Sequence, residues 1–340
     1  ILPEGSPLLL NIASKFQSIG MSENATAAFL KSGNVKAAVD CCVLLNHWND
    51  AVHLAEKHKF PQIEGLLSKY ATHLLEKGST MQAIELYRKA KKNTQAAALL
   101  ANLGDEVGKT KVNPLRAKKL HVLAALEVEN FRKRTFDSAA LGFTAGMSAA
   151  QSTAATLDSL MQHDAATGEN KALDKAWRGA EGYHFYLLAQ RQLYAGNSLG
   201  ALQTACLLRR YDDIICPIDV YSIIALTAYY NKAFGICSKA FVKLESLSSL
   251  SASERNKYAD LALCIFIRNA PRDPPNIDHS LYSNLEKTQH LDVCVATGQV
   301  CSGNVGSSSH LYNCGTCHHK MLEEHLQGLS HCALCHAILL

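Results

Sequence analysis

Several things this 340-residue chain does not have narrow its function before anything present is considered. Aromatic residues make up only 7%, and acidic and basic residues nearly balance at a formal net charge of +4. A near-neutral, aromatic-poor chain offers neither the electrostatic footprint nor the stacking surfaces of a nucleic-acid binder. No run of eighteen uninterrupted apolar residues occurs, and no charged-then-apolar leader opens the chain. The expectation is a chain with no transmembrane segment and no secretion signal. Gly-rich phosphate loops, nucleophile elbows and His-Glu-x-x-His patterns are all missing, so no catalytic constellation is legible and the chain is read as non-enzymatic. It starts at Ile1 without a methionine, which suggests a portion of something longer.

What is present is helix-forming. Ala and Leu crowd the first hundred residues, and apolar residues reach 48% overall. An internal repeat emerges when Gly20-Met-Ser-Glu-Asn-Ala-Thr-Ala-Ala-Phe29 is laid over Gly78-Ser-Thr-Met-Gln-Ala-Ile-Glu-Leu-Tyr87. Gly20 meets Gly78, Ala25 meets Ala83, Phe29 meets Tyr87 and Ala38 meets Ala96; a weaker copy starts at Gly196 with Ala201 in phase. Glycine closing one helix and Ala-x-x-x-aromatic on the next is the pattern of closely packed antiparallel helix pairs. Trp48-Asn-Asp-Ala51-Val-His-Leu-Ala55 has the same character. The fold class expected is all-α: a tetratricopeptide-like helical solenoid of antiparallel helix pairs followed by a small C-terminal zinc-binding module.

Texture divides the chain. Helical repeats are expected over residues 1–136, a flexible Ala/Ser/Thr-rich insertion over 137–170, and further repeats over 171–270. In the last of these, Trp177, Tyr183, Tyr186, Leu187 and Leu193 fall on one helical face and read as core. Pro271-Arg-Asp-Pro274-Pro275 opens a linker over 271–289, and the zinc-binding module occupies 290–340.

The module carries the chemistry. Half of the twelve cysteines lie in the last 47 residues, four of them in two knuckles, Cys314-Gly-Thr-Cys317 and Cys332-Ala-Leu-Cys335. Two thiolates at Cys-x-x-Cys spacing turn onto one ion, and two such turns supply the tetrahedral sulfur shell that Zn²⁺ prefers. One structural zinc is therefore assigned to Cys314, Cys317, Cys332 and Cys335, supplying folding energy that so small a core cannot. A second zinc on Cys294, Cys301 and His310, joined by another histidine, is the alternative left by the remaining ligands, although Cys294 and Cys301 stand too far apart for a knuckle. Four thiolates close the metal shell, whereas a catalytic zinc keeps a position open for water.

Other polar features have ordinary readings. Cys41, Cys42, Cys206, Cys216, Cys237 and Cys264 sit in helical contexts and read as buried small hydrophobes in a reducing compartment. Basic residues gather from Lys109 to Lys119 and at Arg132-Lys-Arg134; a solvated helix face explains them, with an acidic protein partner or lipid headgroup as the alternative. Glu323-Glu324 reads as a solvated face as well.

Longer motifs carry a resemblance. Ser6-Pro-Leu-Leu-Leu-Asn-Ile-Ala-Ser-Lys-Phe-Gln-Ser-Ile-Gly-Met21, Ala176-Trp-Arg-Gly-Ala-Glu-Gly-Tyr-His-Phe185, Leu188-Ala-Gln-Arg-Gln-Leu-Tyr194, Ala233-Phe-Gly-Ile-Cys-Ser-Lys-Ala-Phe241 and Cys294-Val-Ala-Thr-Gly298 precede the two knuckles. Together they resemble the C-terminal part of the WD repeat-containing protein 35 family, WD-repeat and tetratricopeptide subunits of intraflagellar transport complex A. The resemblance implies a scaffold in retrograde ciliary transport and in admitting membrane proteins to the cilium. Its implied partners are the other subunits of that complex and ciliary cargo adaptors, and its implied location is the cilium and cytoplasm. The family's terminal zinc module maps onto Cys314, Cys317, Cys332 and Cys335. The competing class is a RING-like zinc-dependent ubiquitin ligase or adaptor, which needs two metals in a cross-brace.

Overall fold

The computed structural model describes residues 6–60, 63–142, 174–275, 277, 292–301, 311–326 and 328–339. Thirteen α-helices, the 3-10 helices Leu208–Tyr211 and Glu323–His325, and one two-stranded ribbon make up its regular structure among these residues. The helices are α1 (Pro7–Ile19), α2 (Ser22–Lys31), α3 (Val35–Leu44), α4 (Trp48–Lys57), α5 (Ile63–Glu76), α6 (Thr80–Lys89) and α7 (Asn93–Lys109). They continue with α8 (Pro114–Gly142), α9 (174–194), α10 (Ser198–Leu207), α11 (Pro217–Tyr230), α12 (Phe234–Ser246) and α13 (Ala252–Phe266). The strands are β1 (Leu311–Asn313) and β2 (Lys320–Leu322), paired antiparallel with Tyr312 opposite Met321.

Local chemistry sets the helix ends. Asn34 and Asn197 accept hydrogen bonds from the Ala37 and Gly200 N–H groups, and Ser251 with Glu254 forms a reciprocal capping box. Proline occupies the first turn of α1 and α11, where its missing N–H costs nothing. Gly20, Gly78 and Gly196 all have left-handed φ values, at 86°, 77° and 81°. These are the three positions the sequence repeat aligns, and the conformation reverses the chain from one helix to the next.

Chain contacts divide the molecule into two compact units, residues 1–99 and 100–340, with the division inside α7. In the first unit, helices pack through alanines with no exposed surface: Ala25, Ala38, Ala51, Ala55, Ala83 and Ala96. Phe29 and Tyr87 fill the same place in the two copies of the repeat, both buried. Trp48 stacks on Tyr70 with ring centroids 5.2 Å apart.

In the second unit, successive helices α10 to α13 pack in sequence order. Helix α9 departs from a single buried face. Trp177, Ala180, Tyr183, His184, Phe185, Leu188 and Ala189 are all buried, whereas Tyr186, Leu187 and Leu193 are only half-buried. The reason is that α9 packs on more than one side, one of them covered by the terminal module. Helix α13 buries none of its side chains, which leaves Cys264 exposed, unlike the buried Cys41, Cys42 and Cys237; Cys206 and Cys216 are half-buried.

Two boundaries differ from the sequence reading. Helix α8 runs on to Gly142, past residue 136, because Thr135–Leu141 keeps helix-compatible residues with no breaker; residues 143–170 of the insertion lie outside the described residues. The linker starts as packed chain: Asp273 Oδ1 accepts from the Ile236 N–H at 3.0 Å, the Arg272 carbonyl accepts from Phe234 N–H at 3.2 Å, and Ile277 is buried. This segment thus covers the N-terminus of α12, and residues 278–289 lie outside the described residues. No helix among the described residues is long and apolar enough to cross a membrane.

Candidate metal centre

The terminal module is one hairpin used three times. Val293 bridges Val300, Asn313 pairs with Lys320 and His331 bridges Ile338, all antiparallel with the same separation. Within each hairpin the first cysteine's N–H donates to the carbonyl five residues on: Cys294 to Gln299 (2.8 Å), Cys314 to His319 (3.1 Å) and Cys332 to Ala337 (2.8 Å). Each cysteine carbonyl in turn accepts from the N–H four residues on, that of Gly298 (2.8 Å), His318 (2.9 Å) or His336 (3.0 Å). Those three residues have φ of 72°, 59° and 61°, the left-handed step that closes the turn.

The second and third hairpins bring four thiols together. Cys314, Cys317, Cys332 and Cys335 are buried, and their sulfur atoms lie within 4.8 Å of one another. Cys314 Sγ is 3.6 Å from Cys335 Sγ, and Cys317 Sγ is 3.7 Å from Cys332 Sγ. A tetrahedron with metal–sulfur bonds of about 2.3 Å has edges of about 3.8 Å, so the cluster has the dimensions of a zinc tetrathiolate. All four are free cysteines. The hydrogen bond with Cys317 holds the Cys332 thiol far below its ordinary range, while the same contact pushes Cys317 far up. Four thiolates so close need a cation between them.

The first hairpin is built alike without the second sulfur. Thr297 stands where Cys317 and Cys335 stand in the others. Cys294 Sγ accepts from the Leu322 N–H at 3.4 Å, and burial with the neighbouring Cys294 raises the Cys301 thiol. Among the described residues Cys294 and Cys301 join no cluster of three or more ligands, and His310 lies outside the described residues. Of the other histidines, His318, His331 and His336 are exposed and His319 faces the helices. Glu323 and Glu324 are exposed.

Helices α8, α9 and α10 form the bed on which the hairpins lie. His184 Nε2 donates to the Val295 carbonyl at 2.6 Å, and Gln192 Nε2 donates to the Thr297 carbonyl at 2.8 Å. Burial pushes His184 down to about 3, so the imidazole is neutral and its single donor points at the module. Gly298 lies so close to Thr204 that an added Cβ would fall 2.2 Å from Oγ1. Glu181 receives His319 Nε2 at 2.5 Å and the Tyr211 hydroxyl at 2.5 Å. Burial alone would raise the Glu181 carboxyl, but these two hydrogen bonds hold it below its usual range. Trp177 meets the His319 ring edge-on at 5.3 Å.

Lys118 is the residue the sequence placed wrongly. Instead of lying on a solvated face, it is only 4% exposed, with Nζ donating to the Ala333 carbonyl at 2.9 Å and lying 3.3 Å from His336 Nε2. The knuckle covers this part of α8, and no local pattern announces a contact between residues so far apart in sequence. The hydrogen-bonded bed residues Glu181, His184, Gln192 and Thr204 were equally unmarked. Cys294-Val-Ala-Thr-Gly298 did carry a signal, a knuckle spacing with threonine in place of the second cysteine.

Helical repeats ending in a compact zinc finger define the class: a repeat protein whose last module is metal-binding in form. Family comparisons agree segment by segment. Residues 61–130 match "WD repeat-containing protein 35, TPR repeats", 174–273 match "IFT121-like, TPR repeats", and 292–340 match "IFT121, second zinc finger domain". WD repeat-containing protein 35 of rat and of mouse are each 44% identical over 337 residues, and the human protein is 44% identical over 338. The chain belongs to the IFT121 and WD repeat-containing protein 35 family over the segment that these matches cover, 99% of its length. It spans 28% of the length of these relatives.

Proposed function

We propose that the chain acts as a non-enzymatic scaffold portion of an intraflagellar transport complex A subunit, its helix pairs packing against other subunits of that complex. In this reading it works in retrograde ciliary transport and in admitting membrane proteins to the cilium, at the ciliary base, along the axoneme and in the cytoplasm. Ciliary cargo adaptors are further partners. The observation that carries the reading is the 44% identity sustained across 99% of the chain, through the helical repeats and the zinc finger alike. Many modest contacts along a helical array sum to firm assembly without any single large site.

Zn²⁺ on Cys314, Cys317, Cys332 and Cys335 is structural here. The four sulfurs complete a closed shell, and the module has only a small apolar core, Val295, Met321 and Leu334, to fold on. The ubiquitin-ligase alternative is not favoured by the families matched.

Affinity purification of the chain from ciliated cells tests the scaffold role. Recovery of the other complex A subunits supports it; recovery of ubiquitin-conjugating enzymes in their place sinks it. Elemental analysis tests the metal: one zinc per chain is expected, lost in the Cys314→Ser and Cys332→Ser double variant.

A further inference from the structure

Lys118 is a cation buried against the knuckle that supplies Cys332 and Cys335. Among the described residues its hydrogen-bond partners are a carbonyl oxygen and an imidazole nitrogen, not a carboxylate. A buried ammonium without an opposing charge is costly, and native chains rarely keep one. Two more cations aggravate the problem, since Arg191 on α9 and Lys119 both bear on Lys118 by repulsion. Burial, followed by the Arg191 charge, already draws the Lys118 ammonium down to about 8, with Cys332 and Cys335 pulling the other way. The negative charge this arrangement lacks is the one a metal centre would bring. Four thiolates around one dication carry a net charge of roughly −2, next to the lysine.

We propose that Lys118 is the counter-ion of the metal tetrathiolate, so that zinc occupancy holds the module on helices α8 and α9 as well as folding the knuckles. This rests on the assignment of zinc to the four cysteines. Of the basic stretch from Lys109 to Lys119, Lys118 alone is buried against the module. Loss of the metal removes the dianion, leaves the buried lysine uncompensated and loosens the module from its bed. Hydrogen bonds from His184 and Gln192 set the position of the module; the charge pair ties that position to the metal.

Trp177 reports the docked state, because it is buried against His319 and the only other tryptophan is Trp48. The experiment uses the whole zinc-loaded chain carrying Trp48→Phe, titrated with a chromogenic zinc chelator while Trp177 emission is followed. Lys118→Met is expected to release zinc at about ten- to hundredfold lower chelator concentration, the usual effect of removing an outer partner of a metal site. Trp177 emission should shift red at the same point, and Lys118→Arg should stay within about threefold of the parent. A Lys118→Met chain with the parent's zinc affinity and emission overturns the proposal. A parent chain that binds no zinc overturns the metal assignment itself, a separate result. Should Lys118→Met not fold, hydrogen exchange of residues 177–192 in the parent decides. Protection lost on zinc removal supports the proposal, and equal protection with and without zinc overturns it.

Discussion

The first helical unit and the terminal module solve the same problem, holding small pieces of chain in place, by opposite means. In the first unit the fastening is shape. Alanines with no exposed surface let helices approach, and Phe29 and Tyr87 fill the space between them. In the module the fastening is direction: four sulfurs facing one point, backbone carbonyls met by His184, Gln192 and Lys118, and a carboxylate shared by His319 and Tyr211. Packing spreads its stabilisation over many weak contacts, whereas a metal and a few hydrogen bonds concentrate it. The contrast teaches that the two regions should fail independently and through different kinds of substitution.

The largest effect should come from Cys314→Ser with Cys332→Ser. Losing a structural zinc forfeits on the order of 10 kcal/mol of binding energy that is also folding energy. The module should become protease-sensitive while far-ultraviolet circular dichroism keeps its helical signal; an unchanged digestion pattern would refute a metal-dependent module. Next is Gly298→Ala, which forces a side chain into a left-handed φ and onto Thr204, for about 2–4 kcal/mol in all. It should free the module from its bed and, by taking the metal centre away from Lys118, lower zinc affinity along with it, seen as Trp177 exposure beside earlier zinc release in a chelator titration; Trp177 exposure at the parent's zinc affinity would show that docking and metal binding are independent.

Ala83→Leu reverses the target. Overpacking a site with no spare volume should cost about 1–3 kcal/mol of the first unit's stability and leave zinc affinity unchanged, read by thermal melting beside a metal titration. A melt matching the parent would mean that shape is not what holds these helices. The effect of pH is smaller. His184 is depressed to about 3, so the unfolded chain binds a proton below about pH 6.5 that the folded chain refuses. Its contribution is complete above pH 6.5 and declines as pH falls from there towards 3, by up to about 1.4 kcal/mol per unit. His184→Gln should flatten that slope in denaturant melts, and an identical slope in both proteins would remove His184 as its source.

The same contrast explains what could be read from the chain before its structure. Gly20, Gly78, Ala25 and Ala83 are local statements: a left-handed step, then a small residue at a helix crossing, each visible within a few positions. The four clustered cysteines were legible for the same reason, since each pair closes its own turn. Lys118 was not, because its partner Ala333 is 215 residues away and a lysine in an Ala/Leu-rich helix ordinarily points to water. His310 of the alternative second site lies outside the described residues, and Cys294 begins a hairpin that needs only backbone hydrogen bonds and a left-handed residue. Thr297 therefore takes the second cysteine's place without disturbing the turn. The helix-wide burial of α9 was hidden too, since the surface that covers it comes from the far end of the sequence.

Because each knuckle's own turn brings its two sulfurs together, the folded centre joins two short chelating turns. Only one ring is left for the ion to close, the fifteen-residue step from Cys317 to Cys332. The entropy of closing such a ring is roughly 2–3 kcal/mol and grows only logarithmically, so doubling its length adds about 0.6 kcal/mol. Extra residues inserted beside Gly328 should therefore lower zinc affinity by no more than about threefold in a chelator competition, and a collapse in affinity would mean that this connection is itself a strut of the site. The bridge between the knuckles is thus where the module can vary most in length without giving up its metal.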